Sequence, residues 1–150
     1  MADLTTTVTE SVVLNGALRG NTNTVTTTGI NNVFERIVTC AHSQTTTVAV
    51  FATAPYTSAG AIDVENVRYI RVTNLGADSA LILAVVTTDT NYQVRLTAGT
   101  SHILSRGSET AEGEADTTPA FGTMQDLASL QVRPEGATYS PEVSVFVGAV

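Results

Sequence analysis

Lysine and tryptophan are absent from this 150-residue chain, and cysteine occurs once. A lone thiol closes no internal disulfide, and no Cys-x-x-Cys spacing offers a zinc site. Cys40, within Ile37-Val38-Thr39-Cys40-Ala41, reads as part of a strand and is expected to be a buried, inert thiol. Charged residues make up 14% of the chain, well below the usual quarter. The net charge is −7, with arginine as the only strong base. Nucleic-acid binders draw affinity from neutralising phosphates, so this balance argues against DNA or RNA as a partner, and equally against an anionic membrane. No apolar run approaches the ~20 residues of a membrane-spanning helix. The opening Met1-Ala2-Asp3-Leu4-Thr5 lacks the charged-then-apolar pattern of a secretory signal, and the expectation is a product made and left in a cytoplasm.

Threonine and valine fill the space that charge leaves. Thr5-Thr6-Thr7, Thr26-Thr27-Thr28 and Thr45-Thr46-Thr47 are runs of a β-branched residue that fits a pleated surface better than a helix. Short apolar stretches bounded by turn residues recur from end to end, a pattern of sandwiches and barrels. Strands are expected at Thr7–Leu14, Asn23–Thr28, Val33–Ala41, Thr46–Thr53 and Val67–Asn74. Further strands are expected at Ser79–Thr87, Tyr92–Thr97, Ser101–Leu104, Ser129–Arg133 and Glu142–Val147. Period-two alternation sets Arg68, Ile70 and Val72 against Val67, Tyr69 and Arg71. It likewise sets Tyr92, Val94 and Leu96 against Gln93 and Arg95, and Val143, Val145 and Val147 against Ser144 and Phe146. Ala80–Val86 is apolar throughout, which suggests a strand covered on both faces, either by the domain's own sheets or by a neighbouring subunit. The expected fold is all-β: one antiparallel β-sandwich domain over residues 1–150, jelly-roll-like, with about eight to ten short strands.

Punctuation supports this. Asn15-Gly16 between apolar runs is a strong hairpin signal. Leu75-Gly76-Ala77-Asp78 and Thr88-Asp89-Thr90-Asn91 read as turns, and Thr97-Ala98-Gly99-Thr100 as a tight connection. Thr123–Leu127 could form one helical turn. Met1–Thr9, poor in apolar residues, reads as an arm suited to a neighbouring subunit. Ser108–Thr118 reads as an acidic loop.

Catalytic and metal chemistry find little support. Glu109, Glu112, Glu114 and Asp116 match no calcium-loop spacing. Asp63 and Glu65 read as neighbouring charges at the start of a strand, facing water. Of the two histidines, His42 lies two residues from Cys40 and His102 follows Ser101. Neither pair has an oxyanion-hole glycine motif, and no G-x-S-x-G elbow occurs. Glycosidase-type carboxylate pairs remain open by spacing, without the aromatic platforms that sugars favour. Tyr56 and Tyr139, near prolines, could be surface anchors or could cap the ends of the sandwich. No catalytic residue, cofactor site or metal site is expected.

The stretch Arg68-Tyr69-Ile70-Arg71-Val72-Thr73-Asn74-Leu75, followed by an apolar strand and then Val94-Arg95-Leu96-Thr97-Ala98-Gly99-Thr100-Ser101-His102-Ile103-Leu104, resembles a group of small proteins of tailed bacteriophages, many of them marine or cyanobacterial. The closing Leu127–Val147 is similar too. The resemblance covers roughly residues 33 to 150. It implies a non-enzymatic virion part: a head decoration or cement protein on the capsid, built as a homotrimer, with the major capsid protein or other virion proteins as partners. A tail, fibre or head-spike component binding a host-surface glycan is the alternative. The first reading calls for an apolar patch near Ala80–Val86 or on the N-terminal arm. The second calls for a loop-rich tip with exposed tyrosine and paired carboxylates. A cupin-like enzyme would need clustered histidine and glutamate, and a β-domain of no viral origin remains a further class.

Overall fold

The computed structural model describes residues 1–58, 60–109 and 123–150. The strands are β1 (Ala2–Thr9), β2 (Val12–Leu14), β3 (Ala17–Arg19), β4 (Thr22–Ile30), β5 (Asn32–Thr39), β6 (Thr46–Ala52), β7 (Ala61–Asp63), β8 (Val67–Asn74), β9 (Leu81–Thr87), β10 (Asn91–Leu96), β11 (Ser101–Leu104), β12 (Ser108–Glu109), β13 (Gln125–Pro134) and β14 (Glu142–Ala149). Two 3-10 turns, Pro55–Thr57 and Val64–Asn66, flank β7.

Two sheets carry the body. One runs β11-β8-β14-β5; the other runs β10-β9-β13-β6-β7, with β12 on the end of β13. Pairing is antiparallel throughout the body except β6 with β7. Leaving out the short β7 and β12, the eight body strands interleave as 1-8-3-6 against 2-7-4-5. This is the double Greek-key order of a jelly roll, so the expected architecture is observed.

Alternation decides which side chains meet between the sheets. Ile70 and Val72 of β8, Leu81, Leu83 and Val85 of β9, Leu130 of β13, and Val143 and Val145 of β14 have no exposed surface. Tyr92, Val94 and Leu96 of β10 also turn inward, as the sequence pattern requires. Each fully buried Leu or Ile contributes about 2–3 kcal/mol by area, which makes this aliphatic interior the main source of stability. β9 is covered by the domain's own sheets on one face. Leu81, Leu83 and Val85 are buried, but Ile82, Ala84 and Val86 are half-buried on the outer face, so only one side of the strand is covered by a sheet. Val67 departs from expectation: it is buried although Tyr69 and Arg71 face outward. The register between β14 and β8 shifts between Gly148 and Ala149, next to it.

Two local expectations are overturned. Thr123–Leu127 forms no helical turn, because Gln125 begins β13. Leu127 pairs with Thr87 of β9, and the Gln125 side chain accepts from Thr87 Oγ1 (2.8 Å) and Asp89 N (3.2 Å). Long-range pairing overrides the weak local preference. Asp63 and Glu65 do not begin a strand. Asp63 ends β7 and caps the 3-10 turn, accepting from Glu65 N (3.2 Å) and from Asn66 Nδ2 (2.8 Å).

Residues 1–30 lie outside the sandwich. β1 pairs with β4 from Thr9↔Thr22 to Leu4↔Thr27, and β2 pairs with β3 from Val12↔Arg19 to Leu14↔Ala17. Asn15 (φ 52°) and Gly16 (φ 76°) make the two-residue turn at the tip, the left-handed pair a type I′ hairpin needs. At Gly20 (φ 109°) a Cβ would lie 2.1 Å from the Glu10 carbonyl oxygen, so only glycine fits where the two pairs of strands join. The arm foreseen at Met1–Thr9 is thus one strand of a hairpin about thirty residues long, and the expected strand Thr7–Leu14 is split between β1 and β2.

Candidate interaction surfaces

Chemistry is not concentrated anywhere among the described residues. Cys40 has no exposed surface. Its thiol donates to the Val38 carbonyl at 3.7 Å, and burial pushes its pKa up, against a smaller lowering by a hydrogen bond with Thr46. His42 is exposed and faces Ser140, whose Oγ lies 3.5 Å from Nδ1. An enclosed, protonated thiol is a poor nucleophile. Ser101 Oγ meets Thr73 Oγ1 at 2.7 Å, while the next residue, His102, turns inward to Tyr92 Oη at 3.4 Å. Burial pushes the His102 pKa down. Ser101 and His102 therefore lie on opposite faces of β11 and cannot act as a pair. Among the described residues no group of three His, Cys, Asp or Glu could hold a metal ion. Glu112, Glu114 and Asp116 fall outside the described residues.

What the fold does build is a loop end, tied together by Asn74. This side chain is fully buried and fully used. Nδ2 donates to the carbonyls of Ser79 (2.8 Å) and Leu96 (3.0 Å), and Oδ1 accepts from Gly76 N (2.9 Å). The Asn74 backbone donates to Thr100 O (3.0 Å) and accepts from Gly99 N (2.9 Å). One residue thus fastens the β8–β9 loop to the turn between β10 and β11. Thr73-Asn74-Leu75 and Leu96-Thr97-Ala98-Gly99-Thr100-Ser101, both noted in the sequence, are two halves of one knot. Neighbouring connections join it through Leu75 N to Glu142 O (2.8 Å) and Cys40 N to Pro141 O (2.9 Å).

Two grooves open at this end. One, of about 540 Å³, is lined by Ile82, Ala84, Gln93, Gln131, Arg133 and Glu135. Glu135 and Arg95 form a two-pronged ion pair beside it. The other, of about 260 Å³, lies between Leu75, Asp78, Tyr139, Pro141 and Glu142. Tyr139 is half exposed, and Tyr56, in the 3-10 turn Pro55–Thr57, is almost fully so. Both tyrosines lie in connections between strands.

The remaining surfaces are apolar. On the arm, Val8, Val12, Val13, Leu14, Leu18 and Val25 are 45–72% exposed. Residues directly opposite in the β1–β4 ribbon share a face, so Leu4, Thr6, Val8 and Val25 line one side. Thr5, Thr7, Thr9, Thr22, Thr24 and Thr26 line the other, with hydroxyls paired at 3.1 Å (Thr7–Thr24) and 3.2 Å (Thr9–Thr22). On the body, the outer face of the β11-β8-β14-β5 sheet exposes Val33, Ile37 and Ile103 around a cluster of rings. Tyr69 meets Phe146 edge-on at 6.0 Å, and the Arg71 guanidinium lies 6.0 Å from the Phe146 ring centre. Arg71 Nη2 donates to Ser144 Oγ (3.3 Å), while its enclosed Nε has no hydrogen-bond partner among the described residues. Sequence reading looked for apolar surface near Ala80–Val86 or on the arm and missed this sheet face. Its signal was the outward set Val33, Ile37, Phe146 and Ile103, spread over three strands that only the topology brings together.

Comparison of the chain with protein-family models, with curated proteins and with solved structures found no match.

Proposed function

We propose that this protein is a non-enzymatic structural subunit of a tailed-bacteriophage particle, a head decoration or cement protein. In this reading it is assembled as a homotrimer in the host cytoplasm and then binds and stabilises the capsid shell. The observation that carries the reading is the pairing of a rigid jelly roll with a hairpin arm in which none of residues 1–29 is buried. An isolated two-stranded hairpin is marginal in water, so an arm of this length belongs with a surface outside its own body. The lysine-free composition and the sparse charge suit a molecule packed among protein neighbours, and its acidity suits one that does not hold nucleic acid.

The test is co-sedimentation of the purified protein with phage heads stripped of their decoration, followed by thermal challenge. Saturable binding with a raised head-disruption temperature is the expected result. Heads that neither bind the protein nor gain stability overturn the reading.

One observation favours a second reading, a tail, fibre or head-spike component that binds a host glycan. Exposed Tyr139 stands beside Asp78 and Glu142 at the loop end, where a ring and carboxylates could meet sugar hydroxyls. Retention on immobilised host-surface glycan, lost in Tyr139→Ala, is the outcome that would favour it.

A further inference from the structure

We infer that the hairpin arm docks on a second copy of this chain, with its apolar tip lying on the outer face of that copy's β11-β8-β14-β5 sheet. The inference rests on the homo-oligomeric part of the proposed function and adds the contact surface.

Three observations lead to it. First, the arm has no surface of its own to bury against. No residue before Ile30 is buried, and Val8, Val12, Val13, Leu14, Leu18 and Val25 are 45–72% exposed, a contiguous apolar hairpin of the kind that marks an interaction surface.

Second, the arm's base shows which way it lies. A Cβ on Gly148 would stand 3.4 Å from Leu4 Cδ2 and 3.6 Å from Ile30 Cδ1, so the ribbon rests its Leu4 face on the outer side of β14. The same ribbon face continues through Val8 and Val25, which are about half exposed. The apolar stripe therefore starts against its own sheet and runs on past it.

Third, the same chain exposes a matching acceptor. Ile37 (64% exposed), Val33 and Ile103 surround the Phe146–Arg71 stack. Among the described residues β5 beside them pairs only with β14, which leaves its other edge without a strand. An open edge next to exposed apolar side chains is a hazard that proteins cover. Arm and face are different surfaces, so reciprocal exchange closes a dimer and head-to-tail docking closes a ring, of which the trimer of the proposed function is the small case.

The experiment is a complementation of two variants, Leu18→Asp on the arm and Ile37→Asp on the face. Both positions are largely exposed, and unchanged far-ultraviolet circular dichroism checks that the body folds. Light scattering behind a sizing column is expected to give each variant alone the single-chain mass of 15.6 kDa. Mixing them should give a species of twice that mass, because one copy keeps a sound arm and the other a sound face. If either variant alone keeps the wild-type oligomer, arm-on-face docking is overturned while the oligomer stands. A wild-type protein that is already monomeric also overturns it, and head binding then tests what remains of the proposed function.

Discussion

The body and the arm are built from the same kinds of residue and owe their order to different causes. In the body, alternation sends Ile70, Leu83, Val85 and Leu130 between two sheets, where none keeps exposed surface. In the arm, Val8, Val12, Val13 and Leu18 are strand residues as well, but only one layer exists, and they stay 45–72% exposed. Strand pairing is met in both places; what differs is a second layer to bury against. Strand propensity thus makes a hairpin, but burial makes a domain. An apolar hairpin left single-layered points to a surface outside the chain.

This contrast can be broken or sharpened by substitution. The largest effect is expected in the interior. Leu83→Ala should cost about 3–4 kcal/mol, read as a lowered urea midpoint, and an unchanged midpoint would contradict the placing of the core. Asn74→Ala comes next, at about 2–3 kcal/mol, because it leaves Gly76 N and the carbonyls of Ser79 and Leu96 without their buried partner. Faster hydrogen exchange at Gly76 and Gly99 should accompany it, as the two turns come apart.

A smaller effect is expected from pH. Burial holds the His102 pKa below its ordinary 6.5, so between the folded and unfolded values the unfolded chain binds more protons. The contribution of neutral His102 is complete above about pH 6.5 and is lost as pH falls through the folded value. Urea midpoints at pH 7.5 and 5.5 should differ in that direction, and the difference should shrink in His102→Gln. The smallest effect belongs to the arm. Val13→Ser, measured where chains are dilute and separate, should change body stability by less than about 0.5 kcal/mol. A larger loss would mean that the arm is part of the core.

Much of the body was legible in advance, because alternation in β8, β10 and β14 and the turn residues Thr97–Thr100 act locally, as Asn15-Gly16 does at the tip of the arm. Their order in two sheets was legible only as a class, since register and partner choice depend on residues far apart in sequence. Asn74 looked like the end of a strand. Its role depends on Ser79, Leu96, Gly99 and Thr100 arriving around it, which no local pattern states. Thr123–Leu127 was misread because β9 supplies what five isolated residues cannot. The inert setting of Cys40 followed from its apolar flanks, whereas the separation of Ser101 from His102 needed the faces of β11. Arg71, Phe146, Ile37 and Ile103 went unrecognised as a surface because they lie on four strands, and only the β11-β8-β14-β5 order makes them neighbours.

The central claim is that this chain is a part made to be joined to copies of itself, and the mass of the purified protein in solution tests it most directly. Light scattering behind a sizing column should return three times the 15.6 kDa chain mass, held on dilution into the micromolar range. A single-chain mass at high concentration would contradict it.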